Sequence, residues 1–506
     1  MIKYYSIIIV HVKVVVGFGE NIRKSEYMSQ TIKVPTNRGL WSGRTLKILI
    51  PILFAVLFFI IPAPRGLELQ AWKLFGIFVG TILMLMLQGL PEASAIFVGV
   101  SAAGLLVVPL KDVLVGYTDT TVWLIVVAIM MSLGFRNSGL AKRVGLMLIR
   151  AFGKSSLGLG YVLGVTDLML ATTIPGAPAR VGGLVYPLAQ GIFEVVGSQP
   201  YKNPRRLGAY LTVLLYMMDM VAGSLFMTGM GPNLLSMKLA AQILGVQVSW
   251  GLWTLAAVPG FLVFILLPYI VYKLYPPELI SVEEVREMAR EQLSSLGPFT
   301  KREMIAGVTF FLCLLLWATS SMSQIDTTLV AFLGVSVMIL TDVIQWQDIA
   351  DSKETWGILI WFGGIIGLSS ALDKLGFFKW LTIVMKDALP QGIGTFTTFV
   401  IIALLAIIPH YVFPSLLGYV ATFAPVIFSF VAVTGAPKYP ATFLVAFLMV
   451  ISSALTHYGN GLGPLLMGTG YVEKTAWWKV GFIVTFFATV VYLTIGLAYW
   501  KLIGLW

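Results

Sequence analysis

The sequence predicts an all-α polytopic membrane protein with about eleven transmembrane helices, two re-entrant helical hairpins and an inverted repeat. Three observations support this fold class. Of the 506 residues, 58% are hydrophobic and only 11% are charged, whereas soluble proteins carry about 25% charged residues. Apolar stretches that are long enough to span a bilayer recur along the chain. Two of these stretches are broken by the same glycine- and proline-rich pattern.

The apolar stretches indicate where spans and hairpin arms are expected. Each spanning helix needs about 20 mostly apolar residues. We expect such helices near 45–63, 70–90, 94–110, 118–135, 155–172, 206–228, 250–273, 304–320, 327–343, 355–372, 390–409, 440–457 and 477–504. Because some of these stretches are hairpin arms, the number of true spans is about eleven.

The net charge of +11 is distributed as in a membrane protein and not as in a nucleic-acid-binding protein. Lysine and arginine concentrate in short segments between spans, and such segments face the cytoplasm. The pattern predicts a multi-pass protein of the cell (inner) membrane with a cytoplasmic N-terminus and without nucleic acid as a partner. These segments carry Arg23, Lys24, Lys33, Arg38, Arg44 and Lys47, then Arg136, Lys142, Arg143, Arg150 and Lys154, and then Lys202, Arg205 and Arg206.

Residues 1–44 are the predicted cytoplasmic N-terminal extension. Their brief apolar stretch has no convincing signal-peptide cleavage site, so the segment is either a loose extension or precedes a true start at Met28. The single cysteine, Cys313, lies in an apolar run and excludes both a disulfide framework and a cysteine metal cluster.

A polar segment divides the chain into two transmembrane halves, 45–273 and 304–506. Residues 274–303 between them are the predicted cytoplasmic linker helix. Ser281 and Glu284 have the spacing of a capping box at its start. An apolar stripe follows at Val282, Val285, Met288 and Leu293, which is typical of a surface helix.

The two halves repeat a series of features at offsets of 232 to 239 residues. Trp123 and Trp356 each open a span, and an amphipathic stretch then begins at Gly139 and at Gly376. Arginines flank the first amphipathic stretch but not the second, which indicates opposite sides of the membrane and hence an inverted repeat. Proline-bracketed segments follow, and we interpret 173–196 and 411–432 as re-entrant hairpins whose tips present helix termini to anions.

The glycine breaks close each half. One reads Gly229-Met-Gly231-Pro232-Asn233 and the other Gly461-Leu-Gly463-Pro464, 232 positions apart (461 minus 229). A broken helix in a bilayer is tolerated where its backbone lines a polar cavity. Matching breaks in two halves therefore point to the binding site of a transporter.

Few cationic side chains lie at membrane depth. Arg180 follows the first hairpin tip, where it either contacts an anion, forms an ion pair with Asp167 or Asp219, or reaches the cytoplasmic surface. His457 lies at the second break and His410 opens the second hairpin. Each histidine is a candidate for anion contact, proton transfer or a purely structural hydrogen bond, and two histidines alone make a weak metal site.

Neutral donors complete the candidate site, which suits a small multivalent anion. They are Thr228, Asn233, Ser415, Thr456 and Asn460. The chain has no phosphate loop, no paired-histidine zinc motif and no nucleophile elbow. We therefore expect no catalytic residues, no enzyme activity, no metal and no cofactor, with sodium as a candidate coupling ion.

At these residues the chain resembles the divalent anion:sodium symporter (DASS) family, and within it the citrate/succinate and tartrate/succinate antiporters and plastid 2-oxoglutarate/malate translocators. The similarity runs from about Leu46 onward. Its most specific parts are Thr166-Asp167-Leu168 through Arg180 to Tyr186-Pro187, Gly231-Pro232-Asn233-Leu234-Leu235, and Thr456-His457-Tyr458-Gly459 continuing to Gly468-Thr469-Gly470-Tyr471-Val472. The resemblance implies a homodimeric elevator-type transporter that holds substrate at its two hairpin tips.

The chain departs from the family at those tips. The resemblance implies Ser-Asn-Thr or a close variant at each tip, for carboxylate and sodium binding. Here the matching positions are Gly176, Ala177 and Pro178, and Ser415, Leu416 and Leu417. Since only Ser415 keeps a polar side chain, backbone groups at the glycine breaks must carry more of the recognition.

The sequence therefore predicts a secondary transporter of small di- or tricarboxylates such as succinate, malate, 2-oxoglutarate, citrate or tartrate. Anion exchange is favoured; sodium-coupled symport, or a less polar organic anion on the same scaffold, is the alternative. The predicted substrate-binding residues are Gly176, Ala177, Pro178, Arg180, Thr228, Pro232, Asn233, Ser415, Leu416, Leu417, His457, Asn460 and Pro464. The predicted cation-binding residues are Gly176, Ala177, Gly229, Gly231, Gly461 and Gly463.

Overall fold

Four helices precede the first repeat, which begins with a fifth. They are α1 (Gly43–Ile60), α2 (Leu69–Met86), α3 (Glu92–Leu106), α4 (Leu110–Leu114) and α5 (Thr120–Ser138). These belong to a computed structural model that describes residues 43–388 and 394–506. The predicted N-terminal extension, apart from its last two residues, lies outside the described residues.

The first repeat continues with seven helices. They are α6 (Leu140–Phe152), α7 (Ser156–Ala171), α8 (Tyr186–Val195), α9 (Gly208–Leu225), α10 (Gly231–Leu244), α11 (Trp250–Ala256) and α12 (Val258–Leu274). A π-helical segment, Pro178–Val185, precedes α8, and a 3₁₀ turn, Met227–Gly229, separates α9 from α10.

The linker and the next helices are α13 (Glu283–Leu296), α14 (Lys301–Ala318), α15 (Ser320–Ser323), α16 (Thr327–Leu340) and α17 (Trp346–Ala350). The second repeat contains α18 (Lys353–Lys374), α19 (Phe377–Ala388), α20 (Thr395–Leu405), α21 (Leu416–Thr434), α22 (Lys438–Ile451), α23 (Leu462–Met467), α24 (Lys474–Val491) and α25 (Leu497–Leu502).

The order of elements is similar in the two halves of the chain. A long helix (α5, α18) is followed by an amphipathic helix (α6, α19), and Gly139 and Gly376 adopt positive φ at these corners. A helix–loop–helix pair comes next (α7 with α8, α20 with α21). A helix broken at its middle then follows (α9 with α10, α22 with α23), and a long helix closes each half.

Both hairpins are longer than the segments 173–196 and 411–432 that the sequence predicts. Those segments contain the loop and one arm, whereas the other arms, α7 and α20, precede them. The reason is that each of these arms is as apolar as a spanning helix, so hydropathy does not distinguish them from spans.

Nine of the described helical segments are long and apolar enough to cross a membrane, and the bent pair α11–α12 would make ten. The nine include both arms of the second hairpin, at 395–412 and 416–434. They leave out several shorter helices, such as α3 and α16. The polytopic α-helical fold is therefore confirmed, while about eleven true spans stays a prediction.

The linker forms a helix, but the predicted capping box is wrong. The residue that precedes α13 is Val282, and no side chain caps it. Ser281 instead pairs with Ser155, where the chain runs beside the start of α7. A capping box occurs one helix later, between Thr300 and Glu303 at the start of α14.

The helices pack as two groups, joined by α6, α13 and α19. The hairpin group consists of α7–α12 and α20–α25, and the flanking group of α1–α5, α14 and α16–α18. Side-chain links between the groups include the Lys238–Asp119 ion pair, with 2.5 Å between Nζ and Oδ2, and a Gln242–Ser370 hydrogen bond of 3.1 Å. This division places the candidate site at the boundary between the groups.

Candidate functional site

A cavity of about 800 Å³ lies between the hairpin group and the flanking group. Both hairpin tips and both helix breaks border it. The hairpin group lines it with residues 175–178, 230–232, 414–417, 460, 461 and 464. The flanking group lines it with Arg44, residues 88–93, Lys353, Glu354, Trp361 and Phe362, among others. The structure thus brings together segments that are more than 200 residues apart in sequence.

The first tip is the loop between α7 and the π-helical segment. Its cavity-facing part is Pro175-Gly176-Ala177-Pro178, which supplies no side-chain oxygen. A Cβ atom at position 176 would lie 2.5 Å from Oε1 of Glu354 on α18. A carboxylate from the flanking group therefore fills the space that a tip side chain would need.

The second tip leads directly into α21. Ser415 caps this helix, because the Gly418 amide donates to Oγ of Ser415 at 3.3 Å. The same hydroxyl lies 3.4 Å from Oε1 of Glu92 at the start of α3. Each tip is thus approached by one carboxylate of the flanking group, Glu354 at the first and Glu92 at the second.

Several helices begin at the cavity wall. The first residues of α3, α10, α18 and α21 are Glu92, Gly231, Lys353 and Leu416, and all four line the cavity. The start of a helix carries unpaired amide groups and about half a positive charge. The cavity therefore combines helix N-termini with side chains of both signs, an arrangement that can hold an anion without a large excess of basic residues.

The two breaks share one backbone geometry. Phe226 and Thr456 are extended, with φ and ψ of −119° and 137°, and of −132° and 154°. Three residues on, Gly229 and Gly459 pack against the carbonyl oxygens of Gly223 and Ser453, each 2.5 Å from where a Cβ would be. Larger residues cannot occupy these two positions without moving the backbone, which explains why both breaks contain glycine.

Arg180 lies beside the cavity and not in its lining. Its Nε donates to Asp167 at 2.6 Å and its Nη2 to Asp219, and all three side chains are fully buried. Its Nη1 donates to the carbonyl oxygens of Ile174 at 2.6 Å and Gly229 at 2.9 Å. The geometry is that of the ion-pair alternative, and it joins the first tip to the first break.

The two histidines occupy different surroundings. His410 is buried, with Nδ1 2.7 Å from Oγ of Ser452 and Nε2 3.0 Å from the carbonyl oxygen of Gly459. His457 is partly exposed, and its Nδ1 accepts a hydrogen bond from Nε1 of Trp478 at 3.1 Å. Neither lines the cavity, so the structure separates the predicted substrate-binding residue His457 from the tips.

Two other predicted substrate-binding residues stabilise the first break. Oγ1 of Thr228 donates to the carbonyl of Thr172 at 2.6 Å. Nδ2 of Asn233 donates to the carbonyls of Gly223 at 2.8 Å and Phe226 at 2.9 Å. Both are buried outside the cavity lining. Thr228 satisfies a carbonyl group at the end of α7, and Asn233 satisfies two carbonyl groups at the end of α9.

Most of the predicted residues meet at the cavity. Those that line it are Gly176, Ala177, Pro178, Gly231, Pro232, Ser415, Leu416, Leu417, Asn460, Gly461 and Pro464. Those that do not are Arg180, Thr228, Gly229, Asn233, His457 and Gly463. The sequence reasoning missed Arg44, Glu92, Lys353 and Glu354. The sequence feature that could have identified these residues is a charge at the very start of an apolar stretch. A charge at that position usually indicates only the membrane surface.

Comparison with known proteins places the chain among membrane transporters. The family model for the sodium:sulfate symporter transmembrane region matches residues 42–506. The inner membrane protein YbhI of Escherichia coli (strain K12) is 37% identical over 479 residues, covering 93% of this chain and 99% of that protein. Dicarboxylate transporter 1, chloroplastic, of Spinacia oleracea is 33% identical over 471 residues, 92% of this chain and 83% of that protein. The citrate/succinate antiporter of the same Escherichia coli strain is 31% identical over 482 residues, with shares of 91% and 98%.

Proposed function

The chain belongs to the divalent anion:sodium symporter family, and from this premise we propose that it is a secondary transporter of small di- or tricarboxylates. Succinate, malate, 2-oxoglutarate, citrate and tartrate are the candidate substrates. The observation that carries the proposal is the cavity in which both hairpin tips and both breaks meet. Its volume of about 800 Å³ accommodates an anion of this size with water.

The wall of the cavity supports an anionic substrate. Helices α10 and α21 direct their N-termini into it from opposite halves of the chain. Half-helix N-termini that face a substrate carboxylate are a recurrent device in transporters. Two carboxylates of one substrate can thus each meet one helix N-terminus, and Ser415 provides a polar side chain nearby.

Hydrogen bonds at the breaks favour exchange over sodium symport. A sodium site in a broken helix relies on free backbone carbonyl oxygens. Here Arg180 donates to the carbonyls of Ile174 and Gly229, and a ring nitrogen of His410 lies 3.0 Å from the carbonyl of Gly459. Protein hydrogen bonds therefore engage carbonyls that a cation would otherwise bind, and sodium-coupled symport stays the alternative.

A different substrate on the same scaffold is the second candidate. Ala177, Leu416 and Leu417 make the tip side of the cavity apolar, and Trp361 and Phe362 continue that surface on the flanking group. An organic anion with a hydrocarbon body would bury this surface from water. A thermal-shift screen separates the two candidates, because at equal concentration a ligand that binds more tightly stabilises the folded state more.

We infer an elevator-type movement from the division into two groups. The hairpin group carries the tips and breaks, while the flanking group contributes one wall, so relative displacement of the groups would expose the site on alternate sides. We also propose that the cavity opens on the cytoplasmic side, because Arg44 lines it and the N-terminus is predicted to be cytoplasmic. We also propose a homodimer in the cell membrane, which cross-linking in native membranes would test.

The experiment is exchange in proteoliposomes. Vesicles are loaded with unlabelled succinate, malate, 2-oxoglutarate, citrate or buffer, and uptake of labelled substrate is followed with sodium or potassium outside. The proposal predicts uptake that requires an internal carboxylate and is indifferent to sodium. Sodium-dependent uptake into empty vesicles would establish the symport alternative. Absence of uptake for every carboxylate would refute the proposed substrate class.

A cavity-filling variant controls for leakage. Leu417→Trp places a large ring in the cavity and should abolish uptake. Leu329 lies on α16 outside the cavity, and 52% of it is accessible. The Leu329→Trp variant should therefore transport normally. Equal uptake by the two variants would show that the measured flux does not pass through this cavity.

A further inference from the structure

The buried cluster of Asp167, Arg180 and Asp219 has an unequal number of charges. One guanidinium faces two carboxyl groups, and the accessible fraction of all three side chains is 0%. Asp167 lies on α7, Arg180 on the π-helical segment and Asp219 on α9. With both carboxyl groups ionised, the cluster would carry one uncompensated negative charge in an apolar interior, which is strongly unfavourable.

The hydrogen bonds of the cluster are incomplete in a specific way. Each aspartate uses Oδ1 to accept from Arg180. The other oxygen of each, Oδ2, is buried and has no donor within the described ranges 43–388 and 394–506. The two Oδ1 atoms accept from Nε and Nη2 of one guanidinium, so the two carboxyl groups lie side by side. One hydrogen atom between the two carboxyl groups would give both unpartnered oxygens a hydrogen bond.

We propose that Asp167 and Asp219 form a binding site for one proton, shared between their Oδ2 atoms. The proton comes from water and converts one carboxylate into a carboxylic acid whose O–H donates to the other. It satisfies both unpartnered oxygens and makes the cluster neutral, with one guanidinium opposite one carboxylate. Arg180 is the charged group in contact with both carboxyl groups. Tyr216, near Asp219 on the same helix, uses its hydroxyl to donate to the carbonyls of Ser453 and Thr456.

The proton site is linked to the transport site through Arg180. The same guanidinium that binds both carboxyl groups donates to Ile174 at the first tip and to Gly229 at the first break. Loss of the proton leaves two carboxylates competing for one guanidinium and pulls it away from these carbonyls. Protonation thereby keeps the first tip and the first break bound to the same guanidinium. The effect of this contact on transport rests on the proposed function.

Infrared difference spectroscopy of the full chain in lipid tests the proton directly. A protonated carboxyl group has a carbonyl stretching band that is separate from the bands of carboxylates. The wild type should show such a band near neutral pH and lose it at strongly alkaline pH. Labelling aspartate with ¹³C at the side-chain carboxyl should shift the band, which assigns it to aspartate without any variant.

Two isosteric variants locate the proton. Asp167→Asn and Asp219→Asn each leave one carboxylate for one guanidinium, so both should lack the band. Glu92→Gln and Glu354→Gln, which change carboxyl groups in the cavity, should keep it. A wild-type spectrum without an aspartic acid band, or a band that persists in either asparagine variant, would overturn the proposal.

Exchange assays provide a second readout. Transport by the wild type should fall as pH rises through the loss of the infrared band, and the fall should be smaller in Asp219→Asn. Should no carboxylate be transported at all, the proposed function fails while the spectra still decide the proton site. Identical pH profiles in wild type and variant would break the proposed link between the proton and the tip.

Discussion

Nη1 of Arg180 donates a hydrogen bond of 2.9 Å to the carbonyl oxygen of Gly229, which connects the first hairpin to the first helix break. The second half contains a matching contact, in which Nε2 of His410 lies 3.0 Å from the carbonyl of Gly459. The two glycines are 230 residues apart (459 minus 229) and pack in the same way. Each half therefore fixes its break with a basic side chain of its own hairpin.

Replacing Arg180 should affect the fold as well as transport. Arg180→Ala leaves Asp167 and Asp219 without a cation in a buried site, and breaking such a buried pair costs about 3–5 kcal/mol. We expect a large loss of thermal stability in detergent together with loss of uptake. Arg290→Ala is the control, since Arg290 is 72% exposed on the linker helix and should change stability by at most about 0.5 kcal/mol. Normal stability of Arg180→Ala would contradict the structural role of the cluster.

Glycines within one break should differ in their tolerance of alanine. At Gly229 and Gly459 a Cβ would lie 2.5 Å from a backbone carbonyl oxygen, so both alanine variants should lose about 1–3 kcal/mol or more. At Gly231 and Gly461 the nearest side-chain atoms would be 3.7 and 3.4 Å away. Their alanine variants should stay within about 1 kcal/mol of the wild type.

Thermal unfolding in a fixed detergent measures this difference in stability. A transport assay is less suitable, because Gly231 and Gly461 line the cavity and their substitution can also change substrate binding. Equal destabilisation by all four alanine substitutions would mean that the breaks are held by something other than these close backbone approaches.

The two histidines should respond differently to phenylalanine. His410→Phe leaves the buried Gly459 carbonyl without its partner, and a buried polar group left unpaired costs about 1–3 kcal/mol. The Ser452 hydroxyl loses its contact with His410 but keeps its hydrogen bond to the Met449 carbonyl. His457→Phe removes one hydrogen bond at a partly exposed site, worth about 0.5–1.5 kcal/mol. Melting temperature and uptake should therefore fall mainly in His410→Phe. Loss of uptake in a stable His457→Phe protein would restore His457 to the substrate site.

The first tip should tolerate a side chain once Glu354 is shortened. Gly176→Ala puts a methyl group 2.5 Å from Oε1 of Glu354, and the flexible carboxylate must move away. We expect an altered KM for exchange with little change in melting temperature. Glu354→Ala combined with Gly176→Ala should then show no additional effect of the glycine substitution, since the contact no longer exists. Additive effects in the double variant would indicate that the two residues act independently.

The sequence located the backbone features of the site better than its charges. Glycine and proline have few structural alternatives, so the breaks at Gly229 and Gly461 and the tip at Pro175 could be read from the chain. The partners of Arg180 come from two other elements, and sequence offered three interpretations without a distance to choose among them. Glu92 and Glu354 looked like ordinary residues at the membrane surface, because only the packing of α3 and α18 against the tips gives them another role.

Local rules also failed where tertiary contacts intervened. Ser281 and Glu284 had the spacing of a capping box, but pairing of Ser281 with Ser155 takes that serine away from the helix start. The first arms of the hairpins, α7 and α20, are as apolar as spans. Their identity as hairpin arms depends on the loop that follows them and on what they pack against, which hydropathy does not contain.

Among the residues that the structure describes, four charged side chains line the cavity wall, and all belong to the flanking group: Arg44, Glu92, Lys353 and Glu354. The described part of the hairpin group lines the cavity without a charged side chain. If the hairpin group carries the substrate across the membrane, it leaves every one of these charges behind. A bound anion would then meet formal charges on one side and only backbone dipoles on the other. Salt screens formal charges far more than buried dipoles, so ionic strength should change substrate affinity on one face of a vesicle and leave it nearly constant on the other.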